Sequence, residues 1–429
     1  MKSVRSRDVS FIFRGDPSKF GLSLCSVDGQ RFSRGTAEEK FTLQSVCKPL
    51  IYAIALNELG RDVVHSYIGM EPSGRKYNDM ELDHNNQPHN PFVTSGSILT
   101  IALVQKLIKP ELSNAAKFDY ILSYFSRMAG GEQIGFNNSV FLAEREHADR
   151  NFALSYQLKE HDSFPPGTNI KDCLDLWYQC CSMEVTCETI SVIASTLANG
   201  GVAPITGETV LKPEAVRDVL SLLHSCGFYE SSGYFAFKVG IPGKSSVAGS
   251  MMMVLPNTMG VCLWSPPLDP YGNSCRGRTF MESLIDTFTF HRYEGSGDTS
   301  CGKMNPTKVK SQSRGDTIVS LLYAAAAGDL STLKTHKFLG HNMSASDYDG
   351  RTPLHLAAAE GHQDCVTFLL YKCGVEPGPR DRWGFTPLSE ADRSGHSKVS
   401  RLLELWTSGD SPTLTSRSGK ELLEVMSPQ

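Results

Sequence analysis

A short glycine-containing motif recurs in the last third of this 429-residue chain and constrains the possible fold more than any other feature. Its three copies read Ala327-Gly328-Asp329, Glu360-Gly361-His362 and Ser394-Gly395-His396, so the glycines are 33 and then 34 residues apart. Self-similarity at this period is typical of arrays in which each repeat is one supersecondary unit stacked on its neighbours. The last third of the chain is therefore expected to form a repeat domain with its own core.

Two of these repeats also share a Thr-Pro-Leu centre. Residues 351–357 read Arg-Thr-Pro-Leu-His-Leu-Ala and match the ankyrin signature T-P-L-H-x-A, and residues 385–388 repeat the Thr-Pro-Leu. We therefore predict an all-α ankyrin domain over residues 316–407, with the first unit as a degenerate cap and an unidentified protein as its partner. A polar linker is predicted over residues 295–315, and a disordered Ser-, Thr- and Gly-rich tail over residues 408–429.

The composition is that of a soluble globular protein without an electrostatic footprint for nucleic acid. Apolar residues make up 40% and charged residues 21%, and the formal net charge is −4. At this length two or three domains are expected, and neither nucleic acid nor an anionic membrane is an expected partner. The longest apolar run, residues 318–327, is too short to span a bilayer. The twelve cysteines form no C-x-x-C pair, which favours reduced thiols and no metal site.

One stretch near the N-terminus combines a nucleophile with a base. Ser45 and Lys48 lie in Gln-Ser-Val-Cys-Lys-Pro, and the apolar residues that follow recur at helical spacing, which predicts a buried helix starting at Ser45. Residues three apart share a helix face, so the Lys48 amine is expected within reach of the Ser45 hydroxyl. A hydroxyl needs a base beside it, a buried Lys can serve, and free N–H groups at a helix start can stabilise an oxyanion. Taken alone, the pattern also fits an N-terminal capping Ser with a solvated Lys.

The remainder of the first 294 residues predicts strands on either side of a helical insert, which is an α+β fold. A hairpin is expected over residues 20–33, and the loop formers of residues 71–97 are expected to form a lid near the site. By pattern alone the charged run from Glu144 to Asn151 predicts a solvated face. Helices are predicted over residues 98–107, 115–128 and 173–197, and strands over residues 234–237, 251–255 and 260–264.

The order of Ser45-x-x-Lys48, a helical insert and Lys244-Ser245 at a strand start resembles the serine-dependent β-lactamase and penicillin-binding fold, where S-x-x-K is followed by K-T-G. Eight further motifs narrow this resemblance: Leu43-Gln44-Ser45, Lys48-Pro49, Glu71-Pro72-Ser73-Gly74, Pro88-His89-Asn90-Pro91, Asp149-Arg150-Asn151, Glu184-Val185-Thr186-Cys187-Glu188, Leu197-Ala198-Asn199-Gly200-Gly201 and Pro204-Ile205-Thr206-Gly207-Glu208. With these motifs the chain is more similar to glutaminases, from about residue 16 to about residue 293. Ala148 is one small departure, since the family tends to have glycine there. The ankyrin array adds a resemblance to the animal kidney-type and liver-type glutaminases.

This resemblance implies a serine β-lactamase-like catalytic domain over residues 16–294 that hydrolyses L-glutamine to L-glutamate and ammonia. Carried over onto matching positions, Ser45 is the nucleophile, Lys48 its base and Tyr229 a second proton-transfer group. A free amino acid needs a carboxylate such as Glu144 for its ammonium group, and N–H donors for its carboxylate and oxyanion. The residues implied to bind the substrate are Gln44, Ser45, Glu144, Asn151, Tyr229 and the backbone of Val247.

The same resemblance implies a mitochondrial homotetramer that phosphate stimulates and that needs no other cofactor. Residues 1–15 form a divergent N-terminal segment, and their Arg and Ser content fits either the stub of a transit peptide or an ordinary frayed terminus. Since no transit peptide is evident, a cytoplasmic location stays open.

The chain departs from the glutaminase pattern at three positions implied to shape the substrate pocket. Thr94 replaces the Asn of a Val-Asn-Ala-Gly-Ala segment, Trp177 replaces a Tyr, and Asp8-Val9-Ser10 replaces a Tyr-Ile-Pro segment. Each lost amide or hydroxyl costs roughly 1–3 kcal/mol where it leaves a buried group unpaired. One interpretation is hydrolysis with weak binding. A second is a weakened or inactive paralogue that acts as an ankyrin-containing assembly protein, and a third is β-lactamase-type acyl chemistry.

Overall fold

The computed structural model describes residues 16–294, 303, 314–338 and 340–407. The chain divides into two compact units, Met1–Glu294 and Gly295–Gln429. The expectations for residues 1–15, for most of the linker 295–315 and for the tail 408–429 lie outside the described residues.

The described part of the first unit builds two antiparallel sheets. The larger has the order β2-β1-β8-β7-β6, and the smaller has the order β3-β5-β4, with the bounds β1 (Gly21–Ser26), β2 (Arg31–Gly35), β3 (Phe41–Thr42), β4 (Gly135–Phe136), β5 (Met183–Val185), β6 (Gly243–Ser245), β7 (Ser250–Leu255) and β8 (Met259–Trp264). Strand β1 pairs with β8 along its whole length, from Gly21 opposite Trp264 to Ser26 opposite Met259. Strands predicted on either side of the helical insert are thus present, and they share one sheet.

One helix lies at the centre of the helical part of this unit. The helix that follows Ser45 is buried at every residue from Cys47 to Asn57, as expected for a helix that is apolar on all sides. The predicted buried helix is thus confirmed. The helices are α1 (Cys47–Leu59), α2 (Arg61–His65), α3 (Thr94–Leu107), α4 (Asn114–Met128), α5 (Asn138–Glu146), α6 (Asp149–Glu160), α7 (Ile170–Cys181), α8 (Cys187–Ala198), α9 (Pro213–Cys226), α10 (Ser232–Lys238) and α11 (Cys275–Thr287).

The single helix predicted over residues 173–197 is wrong. The segment forms α7, then strand β5, then α8, because residues 183–185 pair with distant strands, with Val185 opposite Phe41 of β3. The Thr186 hydroxyl accepts the Thr189 N–H at 3.2 Å and so starts α8 as a new helix. The tertiary pairing overrides a local pattern that favours one continuous helix.

The strand predicted over residues 234–237 is also wrong, since these residues lie in helix α10. In a strand Phe235 and Phe237 would face the same side, but Phe235 is buried while Phe237 is 80% exposed. The buried ring stacks on Phe228, with centroids 3.7 Å apart. A four-residue window of Tyr, Phe, Ala and Phe is too short to separate a period of two from one helical turn.

The second unit is built from helices, as predicted. Thr352 caps α14 together with His355, whose Nδ1 accepts the Thr352 backbone N–H at 3.1 Å, and Pro353 occupies the first turn. This geometry explains why Thr, Pro and His occupy those places in the motif. The bounds are α12 (Arg314–Ala326), α13 (Leu330–Phe338), α14 (Pro353–Ala359), α15 (Gln363–Thr367) with a π-helical turn at Phe368–Lys372, α16 (Pro387–Arg393) and α17 (Ser397–Thr407).

Two of the three recurring glycines of this unit sit where no side chain fits. Gly328 and Gly361 have φ angles of +70° and +75°. A Cβ on Gly328 would lie 2.7 Å from Nδ1 of His362, and one on Gly361 would lie 2.5 Å from Nδ1 of His396. Each glycine thus packs under the histidine of the following repeat, which accounts for the period seen in the sequence.

Candidate active site

Ser45 lies in a short 3-10 turn, Gln44–Val46, that leads directly into α1. Gln44 has φ +47°, a left-handed conformation that non-glycine residues rarely adopt. The turn is held from two sides, because the Leu43 N–H donates to the Met183 carbonyl at 2.9 Å and the Ser246 hydroxyl donates to the Leu43 carbonyl at 3.2 Å. Ser45 itself is buried. The strain at Gln44 is therefore supported by contacts with β5 and with the turn after β6.

Lys48 lies in the first turn of α1 and is also buried. Its Nζ donates to the Phe92 carbonyl at 3.1 Å and lies 5.8 Å from the ring centroid of Tyr77 and 5.9 Å from that of Trp177. Burial lowers the pKa of the Lys48 ammonium, and the nearby acidic groups of Cys181, Cys47 and Glu144 only partly oppose this effect. An amine with a lowered pKa can accept the proton of a serine hydroxyl.

Tyr229 approaches Ser45 from a segment that is distant in the sequence. It starts a 3-10 turn with φ +51°, and its hydroxyl donates to the Ser245 carbonyl at 3.1 Å. Burial raises the pKa of the Tyr229 phenol, while hydrogen bonds with the Ser45 side chain and the Val247 backbone lower it. Ser45 and Val247 therefore both lie beside the Tyr229 hydroxyl, although Ser45 is about two hundred residues from Tyr229 and Val247 in the chain.

A second buried lysine, Lys244 of β6, supports Tyr229. Its Nζ donates to the carbonyls of Gly227 at 3.1 Å and Ser245 at 2.7 Å, and lies 4.2 Å from the centroid of the Tyr229 ring. Burial and the charge of Lys48 both lower the pKa of Lys244. The resemblance to the K-T-G motif marked Lys244-Ser245 at a strand start, and the structure adds that the Lys244 side chain lies against the phenol ring.

Glu144 and Asn151, both predicted to bind substrate, lie on α5 and α6. Burial raises the pKa of the Glu144 carboxyl, and the Gln44 side chain and the Lys48 charge act against this shift. Glu144 is half-buried and interacts with the site, whereas Arg145, Glu146, Asp149 and Arg150 of the same run are exposed, as pattern alone predicted. Asn151 is half-buried, and its Nδ2 donates to the Tyr178 hydroxyl at 3.2 Å.

Two of the three departures from the glutaminase pattern border this site. Thr94 starts α3 one turn earlier than predicted, and its N–H donates to the Tyr77 carbonyl at 2.7 Å. Trp177 is 7% exposed, and its Nε1 has no hydrogen-bond partner among the described residues. The third departure, Asp8-Val9-Ser10, lies outside the described residues.

Several residues at the site were not found by sequence reasoning. Tyr77 comes from the loop-rich stretch predicted to form a lid, and its ring centroid is 5.0 Å from that of Tyr229. Tyr178 accepts from Asn151, and the sulfur atoms of Cys47 and Cys181 are 3.7 Å apart beside Lys48. The one available signal was proximity in sequence, since Tyr178 follows Trp177 and Cys47 precedes Lys48.

Residues 16–294, 303, 314–338 and 340–407 contain neither of two other kinds of site. No group of three or more His, Cys, Asp or Glu side chains there is arranged to hold a metal ion. Within the same ranges, no helix has the length and apolar character required to cross a membrane.

The comparisons with known proteins agree on one family. Residues 9–293 match the glutaminase family, and residues 321–412 match a family of three ankyrin repeats. The mitochondrial liver isoform of glutaminase from Rattus norvegicus is 48% identical over 396 residues, which make up 92% of this chain and 65% of the rat protein. The corresponding protein of Mus musculus is 46% identical over 421 residues, 98% of this chain and 69% of the mouse protein. The chain thus spans slightly less than two thirds of the rat relative.

A solved structure shows the same fold for the first unit. The probable glutaminase ybaS has a TM-score of 0.63 and 28% sequence identity, and the match covers 69% of this chain and 94% of that chain. The predicted α+β fold of the serine β-lactamase type, followed by ankyrin repeats, is confirmed. Because the glutaminase match extends over residues 9–293, well over half of the sequence, this chain belongs to the glutaminase family.

Proposed function

We propose that this chain hydrolyses L-glutamine to L-glutamate and ammonia, with Ser45 as nucleophile, Lys48 as its base and Tyr229 as the second proton-transfer group. The observation that carries the proposal is the meeting of the Ser45 and Tyr229 side chains at the start of the buried helix that carries Lys48. Family membership and the relatives named as glutaminases support the choice of substrate.

The chemistry follows from these three side chains. Lys48, whose pKa is lowered by burial, takes the hydroxyl proton as Ser45 Oγ forms a bond to the side-chain amide carbon of glutamine. Collapse of the tetrahedral intermediate breaks the C–N bond, and the leaving nitrogen receives a proton from the Tyr229–Lys48 side of the site and departs as ammonia. Water then attacks the acyl-serine ester, which releases L-glutamate and restores the Ser45 hydroxyl.

The amino-acid end of glutamine carries an ammonium group and a carboxylate group. It therefore needs a negatively charged partner for the first and hydrogen-bond donors for the second. Glu144 provides a carboxylate for the ammonium group, and the side chains of Gln44 and Asn151 provide amides for hydrogen bonds. The Val247 N–H, which already approaches the Tyr229 hydroxyl, provides a donor where negative charge develops on the reacting carbonyl oxygen.

The proposal extends to assembly, regulation and location. We infer a homotetramer in mitochondria, with phosphate as activator and an ankyrin unit that binds a protein partner. The names of the rat and mouse relatives, which describe them as mitochondrial, support the location. The ankyrin repeats of the second unit support the inferred protein partner, since such arrays expose extended binding surfaces.

The direct test is ammonia release from L-glutamine by the purified chain, with and without phosphate. Ser45→Ala is expected to abolish release while the far-UV circular dichroism spectrum and the melting temperature stay close to those of the parent. The matched control is Ser195→Ala, because this hydroxyl is equally buried on α8 and donates to the Ser26 carbonyl at 2.9 Å, away from the site. Ammonia release by Ser45→Ala at the parent rate would contradict the assignment of the nucleophile.

A further inference from the structure

Three consecutive helices each carry a side chain of the site. Glu144 comes from α5, Asn151 from α6 and Tyr178 from α7. Tyr178 is 1% exposed, so its hydroxyl has little water to bond with. Its oxygen accepts the Asn151 Nδ2–H at 3.2 Å. The hydroxyl therefore ties α6 to α7 beside a side chain that is proposed to bind substrate.

In the structure this hydrogen bond holds the Asn151 amide with Nδ2 directed at the Tyr178 oxygen. A primary amide carries a donor on Nδ2 and an acceptor on Oδ1, and rotation by half a turn exchanges them. With Nδ2 directed at Tyr178, Oδ1 is directed away from it and remains an acceptor for other groups. Without the phenolic oxygen the two orientations become closer in energy, and the site loses a defined acceptor.

The charge of Glu144 also acts on the Tyr178 phenol. Burial raises the pKa of the Tyr178 phenol, the bond from Asn151 lowers it, and the charge of Glu144 raises it further. The phenol therefore stays protonated while its oxygen accepts from Asn151.

We propose that Tyr178 is a positioning residue that orients the Asn151 amide beside Glu144, so that the two side chains together bind the amino-acid end of the substrate. The inference deepens the proposed function and rests on it. It assigns to α7 a role in substrate affinity through Tyr178, independent of Trp177, whose indole faces Lys48.

The test compares kinetics for L-glutamine among the parent, Tyr178→Phe, Asn151→Ala and the double variant. Loss of one hydrogen bond is expected to raise KM about 3- to 10-fold in Tyr178→Phe, with kcat within about twofold of the parent. Because both residues act through one contact, the double variant is expected to have the KM of Asn151→Ala and not the product of the two effects.

The matched control is Tyr124→Phe. Tyr124 is buried on α4, and its hydroxyl also interacts with an asparagine, accepting Asn57 Nδ2–H at 3.3 Å. This variant loses the same kind of bond, and also the bond that the Tyr124 hydroxyl donates to Glu58, both outside the site, so it is expected to keep the parent KM. A purely structural role of Tyr178 would instead give both variants a lower melting temperature and an unchanged KM.

The same changes in a Ser45→Ala background report affinity without turnover, by calorimetric titration with L-glutamine. A parent-like KM and affinity for Tyr178→Phe, or multiplicative effects in the double variant, would overturn the role of Tyr178 and leave the proposed function intact. The parent could also release no ammonia and yet bind glutamine more tightly than Tyr178→Phe does. That result would support the role of Tyr178 and overturn the proposed hydrolysis.

Discussion

Lys48 is the proposed base for Ser45, and its pKa is lowered because it is buried on α1. The neutral amine is the base, so the rate is expected to rise as pH rises through the pKa of Lys48. Since burial lowers this pKa, the acid limb of kcat/KM should lie below the ordinary value for lysine, about 10.4. Lys48→Arg, which stays protonated at every accessible pH, is expected to lower kcat/KM by about 10²- to 10⁴-fold.

The pH profiles of the parent and of Lys48→Arg are measured by steady-state ammonia release. Lys40→Arg serves as the control, because Lys40 is exposed and outside the site, and its profile should match the parent. If Lys48→Arg kept both the parent rate and the parent acid limb, another group would have to be the base.

Thr94 and Trp177 are the other residues at which the sequence makes a sharp prediction. A Thr hydroxyl offers fewer hydrogen bonds than an amide, and an indole N–H donates but does not accept. Thr94→Asn with Trp177→Tyr is therefore expected to lower KM for glutamine more than it raises kcat, by about fivefold for each restored hydrogen bond. The structure places both residues at the border of the site, with the Trp177 ring 5.9 Å from Lys48 Nζ.

Kinetics on all four members of this double-mutant cycle separate the two contributions. Should KM stay at the parent value in every member, neither side chain faces the substrate, and the resemblance would not extend to that end of the pocket.

At the scale of elements, the junction of α9, β6 and the Tyr229 turn depends on a glycine. A Cβ on Gly227 would lie 1.8 Å from the Gly243 carbonyl oxygen, which is backbone and cannot move aside cheaply. The Gly227 carbonyl also accepts from Lys244 Nζ at 3.1 Å. Gly227→Ala is therefore expected to lower the free energy of unfolding by about 1–3 kcal/mol and to lower ammonia release, because the Tyr229 turn is displaced.

Gly233→Ala in α10 is the matched control for this change. A Cβ there would have no other atom within 4 Å, and alanine in a helix is favoured over glycine by about 0.5–1 kcal/mol. Urea denaturation followed by circular dichroism measures both variants. Equal stability of Gly227→Ala and the parent would show that β6 can move away from α9.

At the scale of the whole molecule, each unit has its own core. The buried clusters around α1 and around β7 contain residues of the first unit alone, while the cluster of α12–α17 contains residues of the second alone. Limited proteolysis is therefore expected to cleave between Gly295 and Gly315, where the composition predicts a polar linker, and to leave a fragment of residues 16–294 with unchanged activity. Mass spectrometry of the fragments and an ammonia assay of the digest check both parts. Loss of all activity on clean cleavage would show that the ankyrin unit belongs to the catalytic machinery.

Sequence spacing sufficed for features whose residues are close in the chain. Ser45 and Lys48 were expected on one turn because helix geometry relates residues three apart, and the hairpin of β1 and β2 followed from alternation around Asp28-Gly29. The ankyrin unit was predicted from its period and from Thr352-Pro353, since capping and stacking act within one repeat and its neighbour. In each case the contacts that matter join residues of the same turn, the same hairpin or neighbouring repeats.

Tertiary structure decided the features whose partners are distant. Spacing gave no reason for Tyr229 to meet Ser45, or for Tyr178 to bind Asn151; these pairs form because the pairing of β1 with β8 and the packing of α5–α7 bring separate segments together. Strand β5 interrupts a predicted helix for the same reason. Local propensities differ by less than about 1 kcal/mol per residue, so ladder bonds and burial contributed by residues far away in the chain outweigh them.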